Sequence, residues 1–282
     1  MGGKPAGSIA VRGDGVGGPA AACLNCGAPL TGRYCSACGQ ENRPAAPTLR
    51  DVLGDAWEAI TNLEGRILQS LGLLFFFPGF LTLEYFAGRR ARWVSPVRLY
   101  LVVSVAYFGL MSLTGWGGFD FDIDITGETT ADTRGELEQR GFETEEELAL
   151  AAQDAVGTWI PRAMFLLVPI FTALVAFARR PSHRTYPEHM VFALHVHAAW
   201  FWGFAMASVA GGIVENAAVD SIVTALSIGY ALWYLIVALR VVYGGSLAAN
   251  VFSGVVLGAT YWMITIGVTL AILLPVVFVS RR

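Results

Sequence analysis

Uncharged, largely apolar runs of 18 or more residues recur along this chain of 282 residues, and each is long enough to cross a hydrocarbon core about 30 Å thick. Only 15% of the residues are charged and 55% are hydrophobic, whereas an ordinary soluble domain is roughly a quarter charged. The chain therefore reads as an all-α, polytopic membrane protein. Five spans follow, at about 97–115, 160–178, 190–214, 221–239 and 251–279. The 40 uncharged residues of 241–280 leave room for a sixth, because they could hold two short spans with a break near Gly254.

The basic residues set an orientation. With the N-terminal region inside, 14 of the 19 Lys and Arg face the cytoplasm: ten in 1–98, three in 179–184, and Arg240. That asymmetry predicts a multi-pass protein of the cytoplasmic (inner) membrane with a cytoplasmic N-terminus. The segment 116–158 carries twelve acidic side chains against Arg134 and Arg140, and becomes an acidic extracytoplasmic loop. Within it Phe119 to Ile125 alternates with period two, as in a half-exposed strand. Asp120, Asp122 and Asp124 mimic a calcium loop, but Ile125 stands where Gly is required and Ala131 where a bidentate Glu is required. Thr144 and Glu147 form a capping box that opens a helix toward the second span. The net charge of −3 argues against a nucleic-acid partner.

All four cysteines lie in CLNCGAPLTGRYCSACGQ, as Cys23-x-x-Cys26 and Cys35-x-x-Cys38, with Gly27 and Gly39 directly after each pair. Two residues between thiolates let one tight turn aim both sulfurs at one ion, and the glycine relieves the backbone that follows. Two such turns complete a tetrahedral, four-cysteine zinc ribbon over 23–40, in a reducing compartment. So small a module has almost no core, so the metal should supply most of its folding free energy, on the order of 10 kcal/mol. Four thiolates leave no open position, so the zinc is structural; iron is the alternative that an all-sulfur tetrahedron also accepts. Residues 1–22, rich in Gly, Ala and Pro and without an apolar stretch, read as a disordered tail.

Downstream of the ribbon, 48–95 reads as an amphipathic helix running into an apolar stretch. That stretch, 67–83, is uncharged but interrupted by Pro78-Gly79, which suits an interfacial or re-entrant hairpin better than a span. Arg89, Arg90 and Arg92, flanked by Tyr85, Phe86 and Trp93, sit where headgroups would be, and are candidates for contact with anionic membrane lipids at about 1 kcal/mol each.

Together, the ribbon CLNCGAPLTGRYCSACGQ, the segment NLEGRILQSLGLLFFFPGFLTLEYFAGRRARWVSPVRLYL and the later EHMVFALHVHAAWFW resemble an uncharacterised bacterial family, domain of unknown function 3667. The resemblance implies a zinc ribbon joined to a polytopic helical domain. It implies no catalytic residue.

Ionisable groups at membrane depth are functional candidates, and the third span region holds Glu188, His189, His195 and His197. At 100° per residue His195 and His197 point about 200° apart, so one helix cannot bring both imidazoles to one ion. Neutral histidines bonded to neighbouring helices explain them more simply than a proton relay or a metal site. Gly254-x-x-x-Gly258 permits close helix approach, within the chain or in a homo-oligomer. The favoured reading is a non-enzymatic membrane protein whose cytoplasmic zinc ribbon is an interaction or scaffolding module, with a protein partner for the ribbon. The competing readings are a small transporter or channel with His195 and His197 on a polar path, and an intramembrane enzyme using Glu188 with His195.

Overall fold

The computed structural model describes residues 22–42, 48–49, 66–114, 144–211 and 216–278, and among these seven named α-helices make up the regular structure. In chain order they are α1 (Arg66–Phe76), α2 (Phe80–Phe86), α3 (Pro96–Thr114), α4 (Glu145–Ala178), α5 (Tyr186–Gly211), α6 (Ala217–Tyr243) and α7 (Leu247–Phe278), with one 3-10 turn at Arg180–Ser182. The expected tail, most of the amphipathic helix before Arg66, and the acidic strand at 119–125 lie outside the described residues.

Helix α5 sits at the centre and packs on α1, α2, α3, α4 and α6. Its sequence explains why: apolar and small residues surround the axis on every side, and Val191 to Ala199 is buried without interruption. Ring contacts set the directions of its neighbours. Tyr107 stacks on Phe201 at 5.2 Å, and Met111 lies near Ser208, so α3 runs parallel to α5. Tyr243 meets His189, while Trp200 Nε1 donates to Ala231 O at 3.0 Å, so α6 runs antiparallel. Helix α7 is antiparallel to α6, because Gly254 lies against Ile236 and Gly258 against Leu232, and α4 is antiparallel to α7, because Arg179 bonds Asn250 and Leu148 packs on Val276; α7 is therefore parallel to α5 and α4 antiparallel to it.

In α4 to α7, four helices are long and apolar enough to cross a membrane, and the bent pair α1–α2 would make a fifth if read as one broken span. Helix α3, at 19 residues, is roughly 28 Å long, close to the thickness of a hydrocarbon core. Outward-facing Leu226, Phe252, Trp262, Met263 and Leu270 give the bundle the apolar exterior that lipid requires.

One boundary differs from those expected, and one is where the sequence places it. The stretch 241–280 does not split into two spans near Gly254: α6 ends at Tyr243, the chain turns through Gly244-Gly245 at φ 73° and 88°, and α7 then runs unbroken for 32 residues. Gly254 is a packing position, since a Cβ there would meet Ile236 Cγ1 at 2.5 Å. The helix containing the second span opens where the capping box places it: Thr144 Oγ1 accepts from Glu147 N at 3.2 Å, and α4 then runs 34 residues without a break into the span, roughly 50 Å. Near its start Leu148 packs on Val276 of α7.

The Pro78-Gly79 break bends α1 against α2 by 117°. Gly79, at φ 82°, makes the turn and lies against Val241 and Val242. Phe75 stacks on Tyr230, the midpoint of α6, at 4.9 Å. The chain after α2 then closes on α1: Arg66 Nη1 donates to Ala91 O, and the buried Ser70 Oγ accepts from Val94 N. The bent pair is thus a helical hairpin of the kind made by a broken span or a re-entrant loop.

Candidate metal centre and its seat on the membrane domain

The ribbon is built from two like turns. Gly27 N donates to Cys23 O, and Gly39 N to Cys35 O, both at 2.8 Å, and both glycines take positive φ, 76° and 74°. Cys23 N and Cys35 N donate to Ala28 O and Gln40 O, and the bridges Ala22–Pro29 and Tyr34–Glu41 draw the strands of each turn together. The four Sγ atoms lie within 4.8 Å of one another, with Cys23–Cys38 and Cys26–Cys35 at 3.6 Å. A tetrahedron with 2.3 Å metal–sulfur bonds has an edge of about 3.8 Å, so the set fits one tetrahedral ion. Gln40 N–H and the Asn25 side chain hold the Cys38 thiol down to about 6, which keeps thiolate available as a ligand. Among the described residues no other trio of His, Cys, Asp or Glu is placed to share an ion.

One residue past the second glycine, Gln40 seats this module on the membrane domain. Its Oε1 accepts from Arg90 N and Ala91 N, each at 3.0 Å, and its Nε2 donates to Gly88 O at 2.7 Å. Leu24 of the first turn covers Gly88, where a Cβ would fall 2.6 Å from Leu24 Cδ1 and φ is 79°. Sequence reasoning missed both contacts, because the partners are 48 to 64 positions apart.

The three arginines of this loop have different fates. Arg89 forms a two-pronged ion pair with Glu84, which also accepts from Trp93 Nε1 at 3.0 Å. Arg90 lies over the Tyr85 ring at 4.7 Å and Arg92 over Trp93 at 5.1 Å. Arg89 thus has its charge matched by Glu84, while the guanidinium groups of Arg90 and Arg92 lie over aromatic rings.

The intramembrane candidates are not brought together. Glu188 accepts from Arg184 Nη1 and from Thr185 N and Oγ1, closing the N-terminal cap of α5. His189 Nδ1 pairs with Tyr243 Oη at 2.8 Å. His195 Nδ1 pairs with Thr82 Oγ1 at 2.9 Å and so ties the helical hairpin to α5. His197 turns the other way: Nδ1 meets Ala193 O at 2.8 Å and Nε2 meets Tyr261 Oη at 2.7 Å. The cavity beside His195, lined by Tyr85, Arg89, Arg90 and Trp93 among others, holds about 10 Å³, room for at most one water.

A second polar cluster, unforeseen in the sequence, pins the turns at the ribbon end of the bundle. Arg179 Nη2 donates to the buried Asn250 Oδ1 at 2.8 Å, and Asn250 Nδ2 donates to Gly244 O and Ser246 O. Arg184 Nη2 reaches Val242 O at 3.3 Å, and its guanidinium lies over Phe86 at 4.3 Å. Asn250 gave no signal because a lone amide in an apolar run resembles any other until the turn it satisfies is known.

The family model described as Protein of unknown function (DUF3667) matches residues 64–108, which is the helical hairpin, the basic loop and the start of α3. This match supports the resemblance carried by the hairpin motif. The chain matches no curated protein and no solved structure.

Proposed function

We propose that this is a multi-pass protein of the cytoplasmic membrane whose zinc ribbon, on the cytoplasmic side, is a scaffolding module that presents a binding surface to a protein partner. The observation that carries this reading is the seat of the ribbon. Gln40 bonds three times to backbone groups of 88–91, so the module is fixed against the bundle and not tethered at a distance. Zinc is the ion that four thiolates in this geometry favour, and with all four positions taken its role is structural. Arg89, Arg90, Arg92, Arg179, Arg180, Arg184 and Arg240 share the ribbon's end of the bundle, while Asp220 and the acidic start of α4 share the other. That division favours a cytoplasmic ribbon. His195 and His197 each bond to a different neighbouring element, and Glu188 to Arg184. This distribution speaks for packing roles over a polar path or a shared reaction centre.

The test is affinity purification in mild detergent of the full-length protein and of a variant carrying Cys35→Ser and Cys38→Ser, with metal analysis of both. One zinc per chain in the wild type, and a bound protein lost from the variant, are expected. Less than a stoichiometric amount of zinc, or the same bound proteins from both, would overturn the reading.

A further inference from the structure

The second metal turn and the basic loop are joined through one side chain. The backbone carbonyl of Gln40 accepts from Cys35 N at 2.8 Å, so Gln40 belongs to the turn that aims Cys35 and Cys38. Its amide closes three hydrogen bonds on Gly88, Arg90 and Ala91. Leu24, between Cys23 and Cys26, caps Gly88 from the first turn. Both metal turns therefore meet at Gly88, in the same short loop of 88–91. Those residues lead back, through the Arg89–Glu84 pair and Thr82, to His195 on the central helix. A ribbon this small cannot keep either turn without its ion. Losing the ion would release Gln40 and Leu24 together.

We propose that the ribbon is a metal-dependent clamp: with zinc bound, Gln40 holds 88–91 in a single conformation against the helical hairpin, and loss of zinc frees that loop with Arg90 and Arg92. This rests on the zinc reading above and adds regulation to it. The bound metal sets how two basic side chains are presented at the membrane surface. Gln40 is a positioning residue, acting on the arginines through their backbone and touching no ligand.

Hydrogen–deuterium exchange on the full-length protein in detergent reads the clamp directly, because the Arg90 and Ala91 amides are the donors to Gln40. Three samples are compared: wild type with zinc, wild type stripped by a chelator, and Gln40→Ala with zinc, with metal content measured in each. Peptides covering 88–92 should exchange about tenfold faster or more in the second and third samples, the scale expected when closing hydrogen bonds are lost from a local opening equilibrium. Peptides from α5 should be unchanged. Gln40→Ala should keep its zinc, which separates loss of the clamp from loss of the ribbon. If the stripped wild type keeps 88–92 protected, the clamp is wrong and the zinc ribbon stands. Protection kept in Gln40→Ala likewise overturns the clamp. A purified protein that takes up no zinc overturns the zinc reading and the clamp with it, and the metal analysis shows which has happened.

Discussion

The Nε2 atom of His197 lies 2.7 Å from the Tyr261 hydroxyl, with Tyr100, Phe171 and Trp200 packed around the imidazole. This contact holds α7 to the central helix in an environment that offers no water as a substitute partner. Tyr261→Phe should lower stability by about 1 kcal/mol, near the measured worth of hydrogen bonds between membrane helices. His197→Ala should cost more, about 2–4 kcal/mol, because it also opens a cavity among four aromatic rings. Unfolding in mixed detergent gives both numbers; equal effects would show that the rings alone hold the site.

The two glycines of the small-residue motif in α7 should respond differently. A Cβ at Gly254 would meet Ile236 at 2.5 Å, whereas one at Gly258 would sit at 3.8 Å from Leu232. Gly254→Val should therefore destabilise by about 1–3 kcal/mol through overpacking, and Gly258→Ala should be nearly neutral. Both glycines face α6 of the same chain, so neither substitution should change the oligomeric state measured by light scattering.

Binding of anionic lipid should depend on two of the loop arginines. The double change Arg90→Ala and Arg92→Ala removes charges worth about 1 kcal/mol each near an anionic surface, which is about thirtyfold in preference. Arg89→Ala should leave that preference largely intact, since Glu84 already neutralises Arg89, and should instead lower stability by leaving a nearly buried carboxylate unpaired. Native mass spectrometry of retained anionic and neutral phospholipid, with thermal unfolding beside it, distinguishes the two effects.

Orientation can be read from the two ends of α4. In a variant lacking the four ribbon cysteines, a cysteine at Thr144 should react with an impermeant maleimide in intact cells, and one at Ser182 only after permeabilisation. The reverse pattern would place the ribbon outside.

The four-cysteine cluster was legible because its chemistry is local: two pairs of thiols, each set by a turn of a few residues. The divergence of His195 and His197 was legible for the same reason, as helical geometry over two positions. The start of α4 was legible too, because a capping box is a pattern of four consecutive residues: Thr144 accepts from Glu147 N as that spacing implies. Gln40, Asn250 and Tyr243 were hidden. Each acts on a partner brought near only by tertiary packing, and nothing in the sequence around Gln40 distinguishes it from any polar residue after a metal turn. The glycine motif lay between: its close approach was legible, its partner helix was not.

The bend at Gly79 settles more than the path of a hairpin. Read as a re-entrant segment that returns to the side it entered, the hairpin adds no crossing, and with α3 counted as a pass α3 to α7 make five, an odd number. On that reading the ribbon and the far end of α7 face different compartments. Were the hairpin to straighten into a full pass, α3 to α7 would invert and carry the turns at Arg179–Arg184 and Gly244–Ser246 to the opposite side. On the re-entrant reading, the parity of the described helices thus depends on one left-handed glycine and the hydrogen bonds that close the hairpin's base.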